Sequence, residues 1–191
     1  MKKNKKIVSA LIALLIALTG GYVVSDSSTN SSTNSSVGVE EQKVMIELER
    51  VIDGDTIVYT ENGESKKMRL LLIDTPESTT AKSGTIQPFG KESKEFLTDY
   101  LVGKNLSLAY EETEEQEDQE DQYGRVLAYL FADGELVQKK LVREGLARVG
   151  YEKGQEIYLD DLKEAEQAAM LEKKNIWSIK DYVGKYGFNN K

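Results

Sequence analysis

The chain of 191 residues predicts an α+β domain in which five strands are packed by three helices. Two observations lead there. Apolar runs bounded by turn-forming Asp-Gly pairs fill most of residues 43–73 and recur near 105–110 and 125–132. Apolar residues at helical spacing, with charges between them, occupy 89–102, 136–144 and 156–174. A third observation bounds the chemistry. There is no cysteine and no histidine, so the fold owes nothing to disulfides or to the common structural zinc clusters. Ser-His-Asp and Cys-His catalysis and histidine-based zinc sites are excluded as well.

In chain order, residues 1–25 are lysine-rich and then apolar from Ile7 to Val24, a signal peptide or an N-terminal membrane anchor. Either places the rest of the chain outside the cell, secreted or held at the outer face of the membrane. Residues 26–39 are a linker rich in Ser, Thr and Asn, which buries nothing. The folded domain is expected over 40–180, with a tail at 181–191. Strands are expected at 43–52, 55–60, 66–73, 105–110 and 125–132. Helix 89–102 offers Phe89, Phe96, Leu97 and residues 100–102 as an apolar side. Helix 156–174 offers Ile157, Leu159, Leu162, Ala165, Ala168, Ala169 and Leu171. Asp133-Gly134 marks a turn before the helix at 136–144.

Three segments carry chemistry. Arg69 opens an apolar run that closes in Asp74, Thr75, Pro76 and Glu77. Pro76 cannot extend a central strand, so the acids gather at a strand tip. A cation at the edge of such a run needs a partner, which is either a structural carboxylate or a bound anion. Asp53-Gly54-Asp55 reads first as a hairpin turn. In Tyr123-Gly124-Arg125 an arginine again opens an apolar strand. Together they supply oxygen ligands suited to Ca²⁺ or Mg²⁺, two guanidinium forks suited to phosphate, and a spare carboxylate that can handle a water's proton.

These segments resemble the staphylococcal nuclease (thermonuclease) family. The likeness runs from about Val44 to Trp177. It rests on Ile-Asp-Gly-Asp-Thr at 52–56, Arg-Leu-Leu-Leu-Ile-Asp-Thr-Pro-Glu at 69–77, Tyr-Gly-Arg at 123–125, Leu-Val-Arg-Glu-Gly-Leu-Ala at 141–147 and Asn-Ile-Trp-Ser at 175–178. The resemblance implies an OB-fold barrel and a calcium-dependent endonuclease that cleaves DNA and RNA to 3′-phosphate ends. It implies Ca²⁺ on Asp55, Asp74 and the Thr75 carbonyl, with Asp53 close behind. It also implies a water contacted by Glu77, as base or as orienting group, and a scissile phosphate gripped by Arg69 and Arg125. Tyr123 and Tyr151 would line the nucleotide pocket. An OB groove receives one strand, so single-stranded or frayed regions are the expected substrate, and the protein is expected to be a monomer.

Some features depart from the family pattern. Gln122 stands where a lysine is expected, and Lys153 where a second pocket tyrosine is expected. Segment 78–88 reads as a mobile loop, whose Lys82 is either solvated or a phosphate contact. The formal net charge is −8, the wrong sign for drawing in a polyanion. Residues 111–121 hold eight acids among eleven residues and no base. That run is a solvated loop, or it gates substrate entry electrostatically, or it weakly collects Ca²⁺. Two other functions stay open: an OB-fold module that binds nucleic acid without cleaving it, and a surface-anchored acidic domain that binds calcium. The first leaves the acids of the site unexplained, the second the arginines.

Overall fold

The computed structural model describes residues 43–80, 84–111, 120–152, 154 and 157–189. The leader, the linker, Lys82, Lys153 and the middle of the acidic run lie outside the described residues.

The barrel begins with β1 (Val44–Asp53), antiparallel to β2 (Thr56–Glu61). Asn62-Gly63 joins β2 to β3 (Glu64–Leu70), and both turn residues have positive φ. That backbone matches the right-handed twist of the flanking strands. β1 also pairs with β5 (Leu106–Ala109), and β5 with β6 (Val126–Ala132), both antiparallel. A parallel pairing of β3 with β6 closes the ring into the five-stranded barrel. Two register shifts in β1, between Leu48 and Arg50 and between Val51 and Asp53, coil this long strand so that it serves two neighbours. Ile57, Tyr59, Met68, Leu70, Leu108, Ala128 and Leu130 are buried in the core. Each large side chain there contributes about 1.5–3 kcal/mol.

The helices α1 (Gly90–Leu101), α2 (Val137–Arg143) and α3 (Leu159–Leu171) fall within the expected segments. Their buried faces are narrower than the sequence pattern suggests. α1 buries Gly90, Ser93, Leu97 and Leu101, while Val102 turns extended and outward. α3 buries Leu162, Ala165 and Ala169 but leaves Ile157 and Leu171 exposed. α2 is held to β6 by the buried Gln138. Its amide accepts the Leu130 N–H and donates to the Ala128 carbonyl, so it mimics a strand neighbour.

Two expectations are corrected. The apolar run 66–73 is not one strand. After Leu70 the chain turns at Leu71 and Leu72, with Leu72 at φ 61°, and Ile73–Asp74 form a separate short strand, β4. β4 pairs with β8 (Arg148–Val149) instead of with the barrel. Hydrophobicity cannot reveal this break, because the turn residues are as buried as the strands they separate. Nor do residues 181–189 form a plain tail. They form a hairpin of β9 (Val183–Gly184) and β10 (Gly187–Phe188). The buried Tyr182 donates its hydroxyl hydrogen to the Pro88 carbonyl at 2.8 Å and anchors the hairpin. The remaining short elements are β7 (Glu135–Leu136) and a 3₁₀ turn over Asn175–Ser178.

Candidate active site

The β1–β2 turn and the β3–β4 break bring the acids together. Thr56 on β2 stands opposite Arg69 on β3, which sets Asp55 beside Arg69. Asp55 is buried. Its Oδ2 accepts from Arg69 Nη1 at 2.8 Å, from the Thr75 hydroxyl at 3.0 Å and from the Thr75 amide at 3.2 Å. Its Oδ1 accepts from the Thr56 hydroxyl at 2.8 Å. Asp74 lies on the other side of the same guanidinium, with Arg69 Nη2 at 3.6 Å from its Oδ1. Burial pushes the Asp74 carboxyl above its usual range. Arg148 and then Arg69 pull it down, while Asp55 pushes it up.

Gly54 and Gly90 allow this packing. A Cβ at Gly54 would fall 2.1 Å from Ser93 Oγ and 3.0 Å from Thr75 Cβ. A Cβ at Gly90 would fall 2.3 Å from the Glu77 carbonyl oxygen. The first turn of α1 therefore sits directly against the segment that carries Thr75 and Glu77. Asp53 Oδ1 accepts from the Gly54 and Ser78 amides and ties the turn to that segment. Gln87 secures Glu77 from both directions, accepting the Glu77 N–H through its side chain and donating its own N–H to the Glu77 carbonyl.

The second arginine comes from the turn before β6. Asp121 accepts the Tyr123 and Arg125 amides on Oδ1 and grips Arg125 through Nε at 2.7 Å and Nη2 at 2.5 Å on Oδ2. Burial opposes the Asp121 charge, but Arg125 and the two amides outweigh it and hold the carboxyl below its usual range. Arg69, Arg125, Tyr123 and Tyr151 line one groove of about 580 Å³, together with Gln122 and Leu70, Leu71 and Leu72. Arg125 lies over the Tyr123 ring and Arg69 over the Tyr151 ring, each with Cζ 5.4 Å from the centroid. Asp53, Asp55, Asp74, Thr75 and Glu77 are not among the groove's lining residues. Arg69 links the groove to this group through its contacts with Asp55 and Asp74.

The sequence motifs single out no role at the site for Arg148, Asp121 or Gln87. Arg148 is buried, opposite Asp74 across the β4–β8 pair, and donates from Nε to Asp74 Oδ2 at 3.0 Å. It carried the same signal as Arg69 and Arg125, a cation opening an apolar stretch. Its stretch is only Val149 before Gly150, too short to notice.

The family profile described as staphylococcal nuclease homologue matches residues 67–179. The chain belongs to this family. The thermonuclease of Staphylococcus hyicus is 35% identical over 178 residues, 91% of this chain and 99% of its own length. The SPbeta prophage-derived endonuclease YokF of Bacillus subtilis is 40% identical over 147 residues, 76% of this chain but 48% of its own, so this chain spans about half of that relative. Endonuclease YncB of the same organism is 37% identical over 151 residues, 78% of this chain and 69% of its own. Among the described residues no group of three or more acids converges on a point. The buried Asp55 carboxylate and the half-buried Asp74 carboxylate, together with the Thr75 carbonyl, are hard oxygen donors, and Asp55 lies close enough to Asp74 to push the Asp74 carboxyl up. This donor set fits a hard divalent cation whose other ligands are water or substrate.

Proposed function

We propose that this protein is a secreted, calcium-dependent endonuclease that hydrolyses phosphodiester bonds of DNA and RNA to 3′-phosphate ends. The observation that carries this reading is the groove that holds Arg69 and Arg125 with two tyrosines, while Arg69 also touches Asp55 and Asp74. A groove of this kind suits a polyanion with unpaired bases. Planar guanidinium groups donate paired hydrogen bonds to phosphate oxygens, and tyrosine faces stack bases of any sequence.

Arg69 and Arg125 are oriented before substrate arrives, the first by Asp55 and Asp74, the second by Asp121. They face the charge that grows on the phosphate's free oxygens during in-line attack, so little reorganisation is needed as the barrier is crossed. Ca²⁺ on Asp55, Asp74 and the Thr75 carbonyl would add charge stabilisation at the same phosphate. Glu77 takes the proton of the attacking water. The new P–O bond forms as the bond to the 5′ oxygen breaks, and the 5′ oxygen takes a proton from solvent water and leaves as a hydroxyl. The phosphate stays on the 3′ side.

The test is cleavage of denatured DNA by the full chain in Ca²⁺ and then in EGTA, beside Glu77→Gln and Arg125→Ala. Cleavage that needs Ca²⁺ and drops by about 10²–10⁴-fold in Glu77→Gln supports the reading. A folded protein that binds the strand without cutting it would make this an OB-fold binding module. Activity in the culture supernatant, compared with the washed cell pellet, tests release from the cell.

A further inference from the structure

Three tyrosines are exposed among the described residues: Tyr123, Tyr151 and Tyr186. Each has a cation over its ring. Arg125 and Arg69 serve the two in the groove, and Lys185 Nζ lies 5.1 Å from the Tyr186 centroid. Tyr186 is the most exposed of the three, at 86%. The Tyr186 ring at this hairpin tip is therefore open to solvent, with the Lys185 ammonium beside it.

The tip is fixed to the site. Arg148 donates through Nη1 to the Lys185 carbonyl at 3.4 Å and through Nε to Asp74 Oδ2. An ideal Cβ on Gly187 would lie 3.8 Å from that same Oδ2, so the β10 backbone passes close to the carboxylate. The two oxygens of Asp74 thus face different neighbours: Oδ1 the Arg69 side with the groove, Oδ2 the Arg148 side with the hairpin. Asp74 lies between the groove and the hairpin. The hairpin that carries Lys185 and Tyr186 is thus joined to Asp74 on the side away from the groove.

We propose that the Lys185–Tyr186 tip is a further subsite for single-stranded nucleic acid. Tyr186 stacks an unpaired base beyond the groove, and the Lys185 ammonium meets the adjoining phosphate. The proposal rests on the nuclease reading and extends its substrate from a nucleotide in one groove to a run of several nucleotides.

The experiment is anisotropy of fluorescein-labelled oligothymidylates in EGTA, with the full chain as wild type, Tyr186→Ala, Tyr186→Phe and Lys185→Ala. A trinucleotide is compared with a strand of about twelve nucleotides, the upper part of an OB-fold's usual site size. Tyr186→Ala weakens the long strand about 5-fold or more, the loss of one stacked base, and leaves the trinucleotide unchanged. Tyr186→Phe keeps long-strand affinity, and Lys185→Ala lowers it with a shallower salt dependence. In Ca²⁺ the Tyr186→Ala loss appears in KM for the long strand and not in kcat. Equal losses on both lengths would mean the hairpin only supports the fold, and no loss on either would remove the subsite while leaving the nuclease reading intact. A folded wild type that binds neither strand overturns both.

Discussion

Arg148 shows what a single residue does here. It is a buried cation shared between Asp74, the Val149 carbonyl and the C-terminal hairpin. Replacing it with methionine keeps much of its bulk but leaves Asp74 with only the more distant Arg69 as counter-ion. Breaking one side of a buried pair costs about 3–5 kcal/mol, so Arg148→Met is expected to lower the urea midpoint strongly. A loss no larger than that of an exposed pair such as Lys163–Glu152 would show that Arg148 is not needed. Behind it stands Glu166, whose Oε1 accepts the Val149 amide at 2.7 Å. Burial raises the Glu166 carboxyl above its ordinary 4.5, against the pull of the Val149 amide and of Arg148. The sign follows directly. An acid whose folded pKa is raised releases its proton more readily from the unfolded chain, so it weakens folding above that range and not below it. Glu166→Gln keeps the acceptor oxygen and removes the charge. It is expected to raise Tm at about pH 8, with the gain vanishing by about pH 4. A gain independent of pH would contradict this. Legibility at this scale had a physical limit. Arg69 and Arg125 could be read because a charge stood against a long apolar run. Asp121 was lost in a crowd of acids, and Gln87 and Arg148 had no contrast with their neighbours.

At the scale of elements, the site depends on how α1 meets the β3–β4 break. Its first turn lies so close to the Glu77 carbonyl that only a glycine fits at position 90. Gly90→Ala must push the helix or the Glu77 segment aside. Overpacking of this kind costs about 1–3 kcal/mol. Because the displaced segment carries Thr75 and Glu77, the variant is expected to lose kcat at temperatures where circular dichroism still shows it folded. Full activity in a folded Gly90→Ala protein would mean that the seat of α1 does not set the site. The five barrel strands and three helices were legible within a few residues, because each has a long enough apolar period to stand out. The pieces that shape the site were not. β4, β8, β9 and β10 are two residues each, too short for any period to show. The break at Leu71 and Leu72 has a buried side chain on every residue around it. What separates strand from turn there is the choice of partner, β6 before the break and β8 after it, and hydrophobicity does not encode that choice.

Across the whole molecule the open question is charge, since a chain of net −8 is set to meet a polyanion. The ends of the acidic run have positions that explain them. Glu111 is buried, accepting the Tyr129 hydroxyl and the Ile157 amide. Asp121 holds Arg125 in the groove. These two acids serve the fold and the site, so the picture of a purely solvated loop does not extend to them. Glu114, Glu115, Glu117 and Asp118 lie outside the described residues, between the buried Glu111 and Asp121, which lines the groove. An electrostatic gate built from these acids would repel an approaching strand over about one Debye length, ~10 Å at 0.1 M salt. Replacing these four with Gln or Asn, with Glu111 and Asp121 left intact, is therefore expected to raise kcat/KM several-fold at low ionic strength. The advantage should shrink as salt is added and disappear near ~1 M, where the screening length falls to about 3 Å. The gain belongs in KM, because the substitutions alter approach and not the groups that orient phosphate or water. If the two proteins follow the same salt curve, the run has no part in admitting substrate. If the substituted protein is slower at every salt concentration, the acids help the site, and a role in collecting the divalent ion becomes the better account.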